Sequence, residues 1–256
     1  ANLGVVSCLV QRGELLYIDK CDHASIVDGG KMSFGRTKRF EHGDLEQLER
    51  LLQRQVESGL VFVDGVFSME GDIADVPGLV RIARAYGVGL AIDDAHGLGV
   101  LGPHGEGTVA HHGCSDGVDL IVGTFSKSLA SIGGYAAGDE DVISYLRHKS
   151  RPLMFSAALP PASSAGVLAA LDLLGEEPER RERLWRLSRR MHEGLEALGF
   201  DLGGTQTPIL PVYLGSDERT LLYFRELFER GVFTNAVLSP AVPAGTRATH
   251  ALAPRR

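Results

Sequence analysis

Three apolar segments of strand length each lead to a polar side chain that could do chemistry. One segment ends shortly before Lys127, a second ends at Asp93, and a third precedes Ser68. Desolvation or a neighbouring cation lowers the pKa of a lysine amine, so the neutral form is available to attack a carbonyl. A carboxylate such as Asp93 suits a pyridinium nitrogen, which must stay protonated to act as an electron sink. Together, these residue types indicate Schiff-base chemistry.

Each of these features, taken alone, also has an ordinary interpretation. A single lysine after a strand is more often a solvated surface residue. Asp93 or Asp94 could form a metal-binding pair with His96, because carboxylate and imidazole both bind divalent ions. No further ligand stands out, and we predict no metal site. The glycine pairs Gly29-Gly30 and Gly133-Gly134 do not match the Gly-x-Gly-x-x-Gly motif of nicotinamide-binding domains.

The segments that must position these side chains alternate between strands and helices. Short apolar strands separated by helices predict parallel pairing, with helices covering both faces of the sheet. Ligands of such sheets lie at the carboxyl ends of the strands, where the three motifs are located. The predicted strands are 14–19, 36–40, 60–65, 88–93, 119–123 and 134–138, and the predicted helices are 24–33, 44–57, 76–86, 139–149 and 161–174.

A change in composition near residues 174–180 divides the chain into two predicted domains. We assign residues 1–175 to a large cofactor-binding domain, with its N-terminal part missing, and residues 176–256 to a smaller, incomplete α/β domain. The elements predicted in the smaller domain are helices over 176–198 and 218–230 and strands over 209–214 and 232–237.

The bulk composition narrows the class of protein. The chain has 256 residues, 44% of them hydrophobic, which is enough to bury a large core. A formal net charge of -7 and the lack of a basic run argue against a nucleic-acid partner. No apolar stretch approaches the length of a membrane span. Three scattered cysteines do not form a disulfide framework, so we expect a cytoplasmic protein.

Six motifs, in their order and spacing, resemble the α-oxoamine synthases, a family of fold-type-I pyridoxal-phosphate (PLP) enzymes. The fold so implied is that of aspartate aminotransferase: a mostly parallel sheet covered by helices, with a smaller C-terminal α/β domain. Within the family, Val122–Ser128 most resembles members that accept long acyl chains. The motifs are Asp22–Gly29, Gly65–Asp72, Asp93–Gly99, Thr124–Ser128, Arg151–Ser156 and Pro243–Thr246.

The resemblance also implies a role for each matching residue. Lys127 would hold PLP as a Schiff base and later move the α-proton of the substrate, and Asp93 would pair with the pyridine nitrogen. The implied ring contacts are His23 stacked on one face, Ala95 packed on the other, and Ser68 and His96 bonded to the phenolic oxygen. The implied phosphate contacts are Thr124 and, from the neighbouring subunit, Ser156.

The reaction implied by the resemblance is a decarboxylating condensation. An amino acid would combine with an acyl thioester of coenzyme A or a carrier protein, with loss of carbon dioxide, in a biosynthetic acyltransferase. The family works as a homodimer with shared active sites. The alternatives are a non-catalytic subunit or fragment of such an enzyme, or another fold-type-I enzyme such as an aminotransferase. The stacking motif Asp22–Ser25 argues against the latter.

Two departures from the family pattern predict a chain that is truncated at both ends. The family has an N-terminal arm and a glycine-rich phosphate-binding turn, and Ala1-Asn2 resembles the tail of that turn. Where the family has an arginine that binds the substrate carboxylate, plain counting places His250, and Arg247 lies three positions earlier. We therefore expect this chain alone to bind PLP weakly and to condense no substrates.

Overall fold

The computed structural model describes residues 1–54 and 58–238, together with the backbone of 248–251. The chain forms two compact units. The first consists of Ala1–Val66 and Ala74–Glu177, and the second consists of Phe67–Ile73 and the chain from Pro178 onwards. The short segment Phe67–Ile73, which carries Ser68, thus belongs to the second unit, although it follows a strand of the first.

The first unit is built around one six-stranded sheet with the order β2-β1-β3-β4-β5-β6. The first five strands are parallel, and β6 pairs antiparallel with β5. The mostly parallel, helix-covered sheet expected from the sequence is therefore confirmed. The strands are β1 (Leu15–Asp19), β2 (Arg36–Phe40), β3 (Gly59–Asp64), β4 (Gly89–Asp93), β5 (Leu120–Thr124) and β6 (Gly134–Gly138).

Eight helices accompany this sheet in the described part of the first unit. Three of them were not predicted: α1, α5 and α7. The helices are α1 (Asn2–Leu9), α2 (Ala24–Met32), α3 (Leu45–Gln53), α4 (Val76–Tyr86), α5 (Thr108–His111), α6 (Glu140–Lys149), α7 (Arg151–Met154) and α8 (Pro161–Glu176).

The central strands are buried because helices pack against them. All five residues of β1 are buried, and so are the last five of β3 and the last four of β4. Apolar side chains of β1, β3 and β5, among them Leu16, Phe62 and Val122, form one core with Val6 of α1 and Ile26 of α2. Polar groups at the strand ends are therefore held by a rigid, apolar base.

Local signals define where the helices of the first unit begin and end. Asp44 accepts a hydrogen bond from the backbone of Gln47, and Asp75 accepts one from Gly78, so α3 and α4 each start at a capping side chain. At the other end of α4, Gly87 has a φ of 63°, a left-handed conformation that glycine adopts without strain.

The second unit contains a three-stranded antiparallel sheet with the order β7-β9-β8. Its elements are α9 (Pro178–Ala197), β7 (Leu210–Tyr213), α10 (Asp217–Glu229), β8 (Asn235–Val237) and β9 (Ala248–Ala251). The backbone of His250 lies in β9 opposite Pro211 and Asn235. The side chain of His250, together with Arg247 and the motif Pro243–Thr246, lies outside the described residues.

Hydrogen bonds within the second unit hold the segment Phe67–Ile73. The hydroxyls of Thr205 and Thr207 both donate to the carbonyl of Gly71, at 3.2 and 2.8 Å. Gly71 has a φ of 76°, and a Cβ there would run into Thr205, so a larger residue would strain this loop. In the described part of the chain, no helix is both long and apolar enough to cross a membrane.

Candidate active site

The carboxyl ends of β3, β4 and β5 bring the candidate residues of the first unit together. Asp64 and Asp93 are the last residues of β3 and β4, and they are partners in the sheet register. Asp93 is in turn opposite Val122 of β5, the strand that leads to Lys127. The charges of Asp64 and Asp93 both act on Lys127, so the three groups share one electrostatic site.

Lys127 lies in a turn after β5 that is tied down on several sides. Its backbone carbonyl accepts a hydrogen bond from Ala130 at 3.1 Å, and Ser128 Oγ donates to the carbonyl of Leu98 at 2.6 Å. The residue is exposed, yet desolvation by the surrounding protein lowers the pKa of its ammonium. Asp93 and Asp64 oppose this effect by favouring the charged form. The lowered pKa favours the neutral amine that carbonyl chemistry requires.

The carboxylate of Asp93 is buried and held from both of its oxygens. Oδ1 accepts a hydrogen bond from the backbone of Ala95 at 3.0 Å, and Oδ2 accepts one from the Asn2 amide at 2.5 Å. The orientation of this carboxylate is therefore fixed before any ligand arrives. Asn2 was not identified by the sequence analysis as a site residue, because no local pattern links it to a strand end 91 positions later.

The neighbouring Asp94, which directly follows β4, has a structural role. Its Oδ2 accepts a hydrogen bond from the backbone N–H of Thr108 at 2.8 Å, and its Oδ1 accepts one from the Thr108 hydroxyl at 2.6 Å. Burial raises the pKa of Asp94 to about 6, although the Thr108 bonds work against that rise. This carboxylate closes the loop that carries Ala95 and His96, because Thr108 begins α5 at the far end of that loop.

Two further buried carboxylates support the start of α2. Asp22 accepts hydrogen bonds from the backbones of Asp64 and Asp19, at 2.8 and 2.7 Å. Asp64 accepts one from the backbone of His23 at 2.8 Å. Burial, together with neighbouring carboxylates, raises the pKa of both Asp22 and Asp64 well above the usual range. Asp64 was missed by the sequence analysis, although its place at the end of an apolar strand was a usable signal.

The remaining candidates from the sequence belong to several elements of the two units. Thr124 accepts a hydrogen bond from the Ser126 backbone at 3.2 Å, and its hydroxyl donates to the Gly133 carbonyl at 3.1 Å. His96 and Ala95 are half-buried in the loop after β4. Ser68 belongs to the second unit. Their contacts with PLP stay predictions.

Ser156 is exposed and lines a surface groove of about 800 Å³ rather than the cluster at the strand ends. Side chains of α1, including Leu3 and Ser7, form one wall of this groove, and Tyr145 and Phe155 contribute apolar area. The groove contains none of the carboxylates described above. The contact of Ser156 with a phosphate of a neighbouring subunit therefore stays a prediction.

Among the described residues, one cluster of side chains has the spacing of metal ligands. It is not the set of Asp93, Asp94 and His96 that the sequence suggested. The ligand atoms of Asp19, Cys21 and His42 lie within 4.8 Å of one another. The carboxylate of Asp19 already accepts hydrogen bonds from the backbones of Cys21 and Gly43, both at 2.8 Å. It also lies 3.0 Å from Nδ1 of His42. These contacts explain the cluster without a metal ion: they connect the end of β1 with the segment that follows β2.

Comparisons with known proteins identify the family of the chain. Residues 1–255 match the family model for aminotransferase class I and II. The chain is 48% identical over 246 residues to a serine palmitoyltransferase of Sphingobacterium spiritivorum, covering 95% of this chain and 62% of the relative. It is 41% identical over 248 residues to an 8-amino-7-oxononanoate synthase of Alkaliphilus metalliredigens, covering 96% and 63%.

The solved structures include closely similar folds. A high-resolution structure of SPT with a PLP internal aldimine superposes with a TM-score of 0.94 at 36% identity, covering 98% of this chain and 64% of that one. The resemblance to α-oxoamine synthases inferred from the motifs is thus confirmed. The chain spans a little over three fifths of the length of the curated relatives that it matches, 62% and 63% for the two above.

Proposed function

The chain belongs to the aminotransferase class I and II family, and on that premise we propose that the protein is a PLP-dependent α-oxoamine synthase. The observation that carries the proposal is the joint presence of Lys127, with its lowered pKa, and the fixed carboxylate of Asp93 at adjacent strand ends. The reaction would condense an amino acid with an acyl thioester and release carbon dioxide, as the resemblance implies.

The residues present fit PLP by their chemistry. Asp93 offers a buried carboxylate to the pyridinium nitrogen, and Lys127 offers an amine to the aldehyde carbon. His23 caps the start of α2 and could cover one face of the ring, while Ala95, next to Asp93 in space, could cover the other. We propose that His96 and Ser68 bond the phenolic oxygen and that Thr124 contacts the phosphate.

The chain's own residues would then divide the work. PLP, when bound, supplies an electron sink for the negative charge that develops at the α-carbon of the amino acid. Asp93 keeps a proton on the pyridine nitrogen, and the bonds from Asn2 and Ala95 keep its carboxylate in place. Lys127 would hold the cofactor and, once the amino group of the substrate has taken its place, would accept the proton of the α-carbon as a neutral amine, which its lowered pKa favours.

We further propose a cytoplasmic homodimer whose subunits share their active sites, with coenzyme A or carrier-protein thioesters as acyl donors. Similarity to serine palmitoyltransferases supports a long-chain acyl donor with serine as the amino acid. The retention of Lys127 together with Asp93 favours a catalytic chain over a non-catalytic subunit. The choice of serine and of a long acyl chain can be tested by measuring thioester cleavage with serine, glycine and alanine, each combined with acyl thioesters of short and long chains.

Covalent labelling of the full-length protein tests the proposed function. After incubation with PLP, borohydride reduction should fix the cofactor to the peptide that contains Lys127. The Lys127→Ala variant should show no such label and no thioester cleavage with any amino acid. Lys31→Ala removes an exposed lysine whose partner is Asp28, so it should behave like the unaltered protein. Label on another lysine would refute the assignment.

A further inference from the structure

The side chain of Asn2 connects Asp93 with the first turn of α2. Its Nδ2 lies 2.5 Å from Oδ2 of Asp93 and 2.9 Å from Oγ of Ser25. Because an ionised carboxylate only accepts hydrogen bonds, the amide nitrogen must face Asp93, and both of its hydrogens are used. Asn2 is only 7% exposed, so water offers these groups little competition.

The connection continues from Ser25 to the imidazole of His23. The backbone N–H of Ser25 donates to Nδ1 at 3.2 Å, and Ser25 Oγ lies 2.7 Å from the same nitrogen. Since a backbone N–H only donates, Nδ1 carries no proton, and the Ser25 hydroxyl must also be a donor to it. The neutral imidazole therefore carries its proton on Nε2. An unbroken series of hydrogen bonds thus joins Asp93, Asn2, Ser25 and His23.

The remaining polar atom of Asn2 shows that stability alone does not explain this residue. Its Oδ1 is buried and has no hydrogen-bond partner in the described structure. A buried acceptor without a partner is unfavourable, and an apolar residue of similar size would avoid that loss. Only the two donors of the amide account for an asparagine at this position, and both of them serve the site residues.

We propose that Asn2 is a positioning residue that sets Asp93 and, through Ser25, His23 for the two sides of the cofactor ring. This inference rests on the proposed function, which assigns Asp93 to the ring nitrogen and His23 to a ring face. With Asn2 on Oδ2 and Ala95 on Oδ1, the carboxylate is held against rotation. Ser25 holds the imidazole in one tautomer at the N-terminus of α2.

The first test reads the tautomer of His23 in protein without cofactor. Nitrogen NMR of histidine-labelled protein should show His23 with an unprotonated Nδ1 and a protonated Nε2. Ser25→Ala removes the hydroxyl but keeps the backbone N–H, so Nδ1 should stay unprotonated while its resonance shifts with the loss of one hydrogen bond. Ser25→Thr keeps the hydroxyl and should leave the resonance in place. A protonated Nδ1 in the unaltered protein, or an unchanged spectrum in Ser25→Ala, would overturn the hydrogen-bond assignment.

The second test measures PLP affinity by absorbance titration in a double-mutant cycle. Asn2→Ala should weaken binding about tenfold, since one hydrogen bond to a charged group is lost. The isosteric Asn2→Asp keeps the shape but removes both donors, so it should lose at least as much. Both losses should be smaller in an Asp93→Asn background, where only the contact with Ser25 remains. Ser7→Ala is the control, because the Ser7 hydroxyl donates within α1 to the Leu3 carbonyl and has no other hydrogen bond among the described residues.

The two hypotheses fail in different ways. If the proposed function is wrong, PLP will not attach to Lys127 in the unaltered protein. If the positioning role is wrong, PLP will attach normally, and folded Asn2 variants, checked by circular dichroism, will bind it with unchanged affinity. Equal losses from Asn2→Ala with and without Asp93 would also overturn the role, because they would show that Asn2 does not act through that carboxylate.

Discussion

At the residue scale, the adjacent carboxylates of Asp93 and Asp94 have different roles because their hydrogen-bond partners differ. Asp93 is held by a side-chain amide and one backbone N–H, and part of its acceptor capacity remains for a ligand. Asp94 is taken up by Thr108, which donates from both backbone and hydroxyl. Adjacent residues of an extended backbone point to opposite sides, so this separation is expected for Asp93 at the end of β4 and Asp94 directly after it.

The exchange of each aspartate for asparagine should therefore have different consequences. Asp93→Asn should leave a folded protein in which exchange of the substrate α-proton with solvent deuterium slows by roughly 100-fold or more, because a preorganised charge is lost. Asp94→Asn should alter thermal stability and slow this exchange less than tenfold by the same measure. Should Asp94→Asn be the more damaging to exchange, the two roles would have to be reversed.

The raised pKa of Asp94 predicts a specific pH dependence of stability. The carboxyl of Asp94 has a pKa of about 6 in the folded protein, whereas the ordinary value of an aspartate, as in the unfolded chain, is 3.8. The folded state then binds more protons than the unfolded state between these values, so Asp94 lowers stability as the pH rises through about 4 to 6. The pKa difference corresponds to about 3 kcal/mol at most.

Urea unfolding of the unaltered protein and Asp94→Asn across this pH range isolates the effect. Asparagine does not titrate, so the difference between the two unfolding free energies should change in favour of Asp94→Asn as the pH rises. The buried Asp22 and Asp64 titrate in both proteins and cancel in the difference. A constant difference across the range would show that the Asp94 pKa is not raised.

At the element scale, the sequence was sufficient where the hydrophobic pattern and the caps agreed. Helix α4 begins and ends where its capping aspartate and glycine predict, at Val76 and Tyr86. Helix α1 was not predicted because it has no capping side chain and its apolar residues do not form a single stripe. Strand β8 begins at Asn235 rather than at residue 232, and the exposed Val232 and Phe233 precede it.

The loop from Ala95 to Gly107 is an element whose tight packing the sequence did not reveal. A Cβ at Gly97 or Gly107 would collide with the Asp94 carboxylate, and Gly107 also has a φ of 110°. These glycines therefore allow the backbone to approach the carboxylate that closes the loop. Composition alone showed that glycine was abundant, but only the long-range contact identifies which positions require it.

Alanine substitutions should separate these glycines from those in open positions. Gly107→Ala combines a clash with backbone strain and should destabilise the protein by about 1–3 kcal/mol. Gly166→Ala is the matched control, because Gly166 lies within α8 with no atom near its missing Cβ. That change should stabilise by about 0.5–1 kcal/mol. Thermal unfolding of both variants measures this, and a stable Gly107→Ala would contradict the packing argument.

At the scale of the whole molecule, the resemblance to a known family predicted more of the fold and of the candidate site than composition or periodicity did. The parallel sheet followed from the alternation of elements, and the cluster of Lys127 with Asp93 followed from strand ends. Periodicity could not show that Phe67–Ile73 joins the second unit, because that depends on the threonine bonds to Gly71, made by residues more than 130 positions away in the chain. Periodicity could not show the proposed role of Ser156 either, because that role depends on contact with a neighbouring subunit.

Subunit complementation tests the proposed homodimer with shared sites. If Ser156 contacts the phosphate held by the neighbouring subunit, Lys127→Ala on one subunit and Ser156→Asp on the other fall in the same site of a mixed dimer. One site then carries both changes, while the other retains Lys127 from one subunit and Ser156 from its partner. Random reassociation of equal amounts makes half of the dimers mixed, so about a quarter of the sites should be intact.

The measurement is the thioester-cleaving activity after the two inactive variants are dissociated and recombined. Activity should rise from near zero to about a quarter of that of the unaltered protein. Mixing Lys127→Ala with itself gives no intact site and serves as the control. If Ser156 instead acts within its own subunit, every site of the mixed dimer carries one of the two changes. No recovery in mixed dimers confirmed by mass would therefore show that Ser156 does not contact the phosphate held by its partner.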